Sequence, residues 1–225
     1  MYDFLIVGAG IFGAVFANEA SKAGKKCLVI DRQKNVGGIL YSQNPLGVEL
    51  QRPRIHIFRT EEKRIWDYIN LFGDFIRNKE EKTVKYSGFP VYGYARIISK
   101  MLSGSDVFLN TSCQQVLHHK PDIAKKIIYT GRLDEFYQYC YGEMQYKFHN
   151  SVNYVISEDK VLNELNGEMS DFIQTEENIE LFGKYAELAG KEANVLFGGR
   201  FSHPCSYTIG QSVKDALRLS EEELY

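Results

Sequence analysis

The chain opens on an unbroken apolar run from Tyr2 to Val7, passes through three glycines between Gly8 and Gly13, and continues as an amphipathic stretch from Ile11 to Ala23. A continuous short apolar run fits a strand buried on both faces, and the change to helical spacing predicts strand, tight turn and helix in that order. A second apolar run, Lys26 to Ile30, closes on Asp31 and completes a βαβ unit. Farther on, "EEKRIWDYINLF" carries Ile65, Trp66 and Ile69 at helical spacing, which reads as a core stripe. "NVLFGGR" reads as a buried strand ending at Arg200, and "GQSVKDALRLSEEEL" as the last helix. Before both, a helix is expected over Ile179–Ala189, preceded by an acidic, weakly patterned surface excursion over residues 157–178. The pattern predicts one α/β domain over residues 1–225: a Rossmann-like open parallel sheet with Tyr2–Val7 central and the "VLFGGR" strand returning beside it. Its parts are the βαβ unit at 1–38, a reduced substrate-side layer at about 40–160 and the C-terminal strand and helix within 179–225.

The glycine spacing adds chemistry to that unit. Gly8 permits the turn, Gly10 lets a pyrophosphate approach bare backbone, and Gly13 lets the helix pack closely on the strand. Ile11 and Phe12 lie between them in the first helical turn, whose amides face the anion. Asp31 follows Gly13 by 18 residues, near the offset at which a carboxylate meets the adenosine ribose and repels a 2′-phosphate. Past the acid, Arg32, the pair Gly37-Gly38 and Ile39 extend the unit as in flavoproteins, where a second glycine turn closes over the cofactor. That extension makes FAD, in place of NAD, the expected cofactor.

Composition excludes more than it assigns. With 44% apolar and 25% charged residues among 225, the chain is ordinary globular protein, and a net charge of −2 leaves no nucleic-acid footprint. No apolar run reaches bilayer length, and the opening strand takes the place of a leader, so a cytoplasmic protein without membrane association is expected. Cys27, Cys113, Cys140 and Cys205 lie far apart, which fits reduced thiols. No metal spacing is present, since the adjacent His118 and His119 diverge.

Several stretches, "MYDFLIVGAGIFGAVFANEASKAGKKCLVID", "HIFRT" with "IWDYIN", "PVYGYARIISKML", "KKIIYTGRLDEFYQYCYGEMQY" and "LFGKYAELAGKEANVLFGGR", resemble in their order the UDP-galactopyranose mutase family. The resemblance implies FAD, required in reduced form, and interconversion of pyranose and furanose rings of a nucleotide sugar through flavin N5. It implies that His56 faces the flavin and that Arg200 acts beside it, as catalytic residues. Gly131, Gly210 and Gln211 would contact the flavin along with the opening glycines, and Tyr146, Lys147 and Tyr207 the substrate.

The chain also departs from the family pattern. Between "DFIRN" and "KYSGFPVYGY" the family inserts a largely helical domain that supplies uridine and phosphate contacts; here only the charged run Lys79 to Lys82 stands there. Arg59 replaces a histidine, Ile39 a polar residue and Lys147 an arginine, and the family's diphosphate-binding tyrosine falls on Ser206, one place before Tyr207. Those changes remove charge-assisted donors that grip a nucleoside diphosphate. An FAD-dependent oxidoreductase on a smaller substrate, or a flavoprotein subunit completed by another chain, therefore stands beside the mutase expectation. The aromatic residues Phe136, Tyr137, Tyr139, Tyr141 and Tyr146 suit a pocket, a core or an oligomer interface alike.

Overall fold

A computed structural model describes residues 1–41, 56–79, 81–157 and 160–225. Position 80 of the charged run, Ile55 beside His56 and the first part of the expected substrate-side layer, 42–55, lie outside the described residues.

The opening unit forms as its pattern predicts: β1 (Tyr2–Val7), α1 (Ile11–Lys22) and β2 (Cys27–Ile30). A small antiparallel unit follows, β3 (Phe58–Thr60), α2 (Lys63–Asn70), β4 (Phe75–Arg77) and β5 (Tyr86–Pro90). Then come α3 (Gly93–Met101), β6 (Asp106–Phe108), α4 (Cys113–His119), β7 (Ala124–Tyr129) and α5 (Leu133–Phe136). The chain closes with β8 (Tyr146–Ser157), β9 (Lys160–Phe172), α6 (Glu176–Ala189), β10 (Val195–Phe197) and α7 (Ile209–Leu224).

Five strands build a parallel sheet in the order β10-β7-β1-β2-β6. Alternation along β1 sends Phe4 and Ile6 into one core with Phe16, Ile98 and Val213, and Leu5 into another with Leu28, Val116 and Leu117. Both faces are thus covered, which is why the strand reads as one apolar run. Each fully buried Leu or Ile stabilises the sheet by about 1.5–3 kcal/mol. The second sheet, β3-β5-β4, is antiparallel, and Phe58, Trp66 and Phe75 pack there with ring centroids within 6.1 Å of one another, Phe75 edge-on to the other two. With Ile65 and Ile69 buried, the stripe around Trp66 is core.

Three expectations change. β10 pairs with β7 and not with β1, because "KKIIY", itself apolar enough to be buried, occupies the place beside the central strand. Residues 160–172 of the expected surface excursion form β9, paired antiparallel with β8 from Tyr146↔Phe172 to Ser157↔Lys160. Polar alternation on a two-stranded ribbon carries little hydrophobic signal, so the strand is hard to read from sequence. Finally, α6 starts one turn early, at Glu176, because the Thr175 hydroxyl accepts the Asn178 amide as a helix cap.

Candidate dinucleotide crevice and substrate-side sheet

The loops after β1, β2, β7 and β10 meet at the carboxyl end of the parallel sheet, where β1 has β2 on one side and β7 on the other. Ligands of open α/β sheets collect at such a reversal of strand order. Gly8 adopts φ +117°, and a β-carbon there would stand 2.0 Å from Thr130 Oγ1. Thr130 itself donates through N and Oγ1 to the Val7 carbonyl at 3.0 and 2.8 Å, drawing the β7 loop against the turn. A β-carbon on Gly13 would meet the Gly8 carbonyl oxygen at 2.1 Å. Gly10 differs from both: nothing lies within 4 Å of a β-carbon placed on it. The first turn of α1 has no side-chain cap and no acid, so among the described residues its leading amides are backbone donors without a side-chain partner.

The loop is pinned from below. Ala9 donates its amide to Asp31 Oδ2 at 2.7 Å and accepts from the Gly37 amide at 2.8 Å, while Asp31 Oδ1 accepts from Gln33 at 2.8 Å. Asp31 thus orders the glycine turn, and each of its oxygens keeps a further lone pair for a hydroxyl. Gly38 borders open space, and Ile39 packs on the core. Arg32 leaves the crevice to pair with Glu135 at 3.0 Å on the surface. Phe12 is buried, its ring lying on Gly198 so closely that a β-carbon there would stand 2.2 Å from Cζ. Its side chain is core; only its backbone borders the crevice.

The remaining candidates separate. Gly131 follows Thr130, against the Tyr129 ring, and Arg200 opens a 3-10 turn after Gly198-Gly199 with its guanidinium 5.0 Å from the Phe201 ring. Gly210 packs on β3, where a β-carbon would meet the Arg59 carbonyl at 2.1 Å. Gln211 closes a capping box with Thr208: its Oε1 accepts from the Thr208 amide at 2.7 Å, while its own amide donates to Thr208 Oγ1 at 3.2 Å. His56 precedes β3, and its carbonyl accepts from Tyr94 Oη at 2.8 Å.

In the layer expected to face a substrate, several polar groups hold one another. Tyr207 donates its phenol to Asp215 at 2.6 Å and stacks on His203, ring centroids 4.4 Å apart. Tyr146 is buried beside Phe172 and Phe201, its hydroxyl takes no hydrogen bond among the described residues, and burial pushes its pKa up. Lys147 is exposed and stands opposite Asp171 in the β8-β9 register. Below them Arg132, 5% exposed, forms a two-pronged pair with the fully buried Asp134 and donates to the Met144 carbonyl at 3.1 Å. Phe136 and Tyr137 pack on Tyr129, Phe197 and Tyr185, whereas Tyr139 and Tyr141 are exposed. Thr130, Asp134 and Asp215 were not singled out from sequence, although "YTG" after a buried strand marks Thr130 as a loop residue of the crevice. Among the described residues no group of three or more His, Cys, Asp or Glu is placed to hold a metal ion, and no helix is long and apolar enough to cross a membrane.

The fold and the pinned glycine turn define a Rossmann-like α/β protein, and residues 6–72 match the model of an NAD(P)-binding Rossmann-like domain. Residues 74–167 match the model of UDP-galactopyranose mutase, and part of the chain is similar to such mutases. It is 32% identical over 78 residues to a probable UDP-galactopyranose mutase of Klebsiella pneumoniae, covering 33% of this chain and 20% of that protein. Against the dTDP-fucopyranose mutase of Escherichia coli the identity is 31% over 77 residues, with the same 33% and 20% coverage. The match thus spans about a fifth of those relatives' length, 20% in each. Among solved structures, Thermovibrio ammonificans THI4 superposes with TM-score 0.54 at 15% identity, over 98% of this chain and 88% of that one. The p-nitrophenol 4-monooxygenase PnpA of Pseudomonas putida superposes with TM-score 0.50 at 12% identity, over 98% and 79%. At such identity these two speak for the fold alone.

Proposed function

We propose that the chain binds FAD along the glycine-turn crevice and acts as a flavoprotein of the mutase type, its specific reaction the interconversion of pyranose and furanose forms of a nucleotide sugar. The observation that carries this reading is the joining, in one chain, of the mutase match over 74–167 to a turn whose first-turn amides lack a capping side chain and whose Gly10 borders open space. In this reading the amides of Ile11, Phe12 and Gly13 hold the pyrophosphate, Asp31 the ribose, and Gly37-Gly38 close over the nucleotide. His56, Gly131, Arg200, Gly210 and Gln211 border the flavin, and Tyr146 and Lys147 the substrate. Reduced flavin supplies an electron-rich centre for the sugar's anomeric carbon, while the protein binds, orients and excludes water. Purified protein is expected to absorb near 450 nm, and after dithionite reduction to convert UDP-galactofuranose to the pyranose. Bound FAD with no pyranose product rejects the mutase reaction.

A second reading, an FAD-dependent oxidoreductase on a smaller substrate, is favoured by the engagement of Tyr207 with Asp215, which withdraws a phenol from any diphosphate. Bleaching of the flavin by a non-nucleotide metabolite supports it; a spectrum inert to a broad substrate panel counts against it.

A further inference from the structure

The β3-β5-β4 sheet has one face on the Phe58–Trp66 core, and strand alternation turns Arg59 to the other. Arg59 stands directly opposite Ser87 in the antiparallel register, so the two side chains are neighbours on that face. Two residues along β5, Phe89 and its partner Ile76 share the same face, Phe89 half-buried and Ile76 exposed. Arg59 donates Nε to Glu81 Oε2 at 2.8 Å, and Glu81 is fixed in turn by the Thr83 hydroxyl at 2.5 Å and amide at 3.3 Å. The guanidinium is therefore oriented by one edge. Its Nη1–Nη2 edge makes no hydrogen bond to a described residue, and the side chain is 41% exposed. Beside it Ser87 is only 4% exposed, yet its Oγ has no hydrogen-bond partner among the described residues. A buried hydroxyl without a partner is uncommon and calls for a group to complete it.

We propose that Arg59 and Ser87 form a subsite for the carboxylate of a small molecule whose apolar body lies toward Phe89 and Ile76. The open edge of an arginine fork matches a planar two-oxygen anion, and Ser87 supplies a third donor. Glu81 already offsets the charge of Arg59, which favours a singly charged carboxylate over a doubly charged phosphate. The inference rests on the second reading, a smaller substrate in place of a nucleotide sugar, and names a chemical class for it.

The test is calorimetric titration of the whole protein with benzoate and, separately, inorganic phosphate, on the parent, Arg59→Gln, Arg59→Lys and Ser87→Ala. Benzoate is expected to bind saturably, and Arg59→Gln to weaken it roughly 10- to 100-fold, the range for charge-assisted hydrogen bonds. Arg59→Lys keeps the charge without the fork, and should weaken it about tenfold even if Arg59→Gln fails to fold. Ser87→Ala should cost about fivefold, as one neutral hydrogen bond. Benzoate affinity indifferent to Arg59→Lys, or phosphate binding tighter than benzoate and lost with Arg59, overturns the proposal. Visible absorbance of the same samples keeps the two readings apart. Colourless protein that still binds benzoate through Arg59 retains the subsite and rejects the flavin; yellow protein insensitive to Arg59 does the reverse.

Discussion

Around the glycine turn the donors without a side-chain partner among the described residues are backbone amides at the start of α1, set by a loop whose Ala9 is held by Asp31 and Gly37. In the part of the chain proposed to face a substrate, polar side chains are joined in pairs: Tyr207 with Asp215, Arg132 with Asp134, Arg59 with Glu81. The first arrangement is preorganised for a ligand, because nothing must be broken before an anion approaches Gly10. The second stabilises the chain itself, and among the described residues the buried hydroxyls of Ser87 and Tyr146 are left without a hydrogen bond. One half is specified through backbone geometry and the other through side-chain chemistry, so the two tolerate different substitutions.

The largest effect is expected at Asp134→Asn, which leaves the buried Arg132 with only the exposed Glu143 carboxylate as counter-charge and should destabilise the fold by about 3–5 kcal/mol, read by chemical denaturation. A loss under about 1 kcal/mol would mean that the pair is not buried in solution. Gly13→Ala comes next, since its methyl meets the backbone oxygen of Gly8, an overpacking worth about 1–3 kcal/mol. It should lower the melting temperature and release FAD together. Gly10→Ala separates those two outcomes: φ −82° suits alanine and the surrounding space is open, so stability should stay within about 0.5 kcal/mol. FAD affinity should nevertheless fall about tenfold or more, read by fluorescence titration. Equal flavin affinity in Gly10→Ala would mean that the cofactor does not approach that turn.

Tyr207→Phe removes the bond to Asp215 and should cost about 1 kcal/mol while leaving FAD retention intact. The smallest effect concerns pH. Burial lowers the pKa of His203 below its ordinary 6.5, outweighing the attraction of Asp215, 3.7 Å away, while Arg218 adds to the lowering. The folded chain then binds fewer protons there than the unfolded chain. This contribution to stability is intact above pH 6.5 and declines as the pH falls through 6.5 toward the depressed folded value. His203→Phe, which keeps a ring on Tyr207, should flatten the melting temperature between pH 7 and 5.5; an unchanged slope would assign that dependence to other groups.

The sequence by itself determined the βαβ unit, because apolar runs, glycine spacing and a terminal acid are local signals and each has one backbone consequence: Gly8 at positive φ, Gly13 against the turn, Asp31 at the end of β2. It also carried the mutase likeness. It did not determine which strand lies beside β1, since "KKIIY" and "VLF" are both apolar enough for that place and only sheet closure chooses between them. Nor could it distinguish Phe12 as core from Phe12 as cofactor contact, or separate a free Tyr207 from one bound to Asp215 eight residues away. Tertiary structure decided those points because strand order and side-chain partnership depend on what the rest of the chain brings alongside, and a linear pattern records only each residue's own preference.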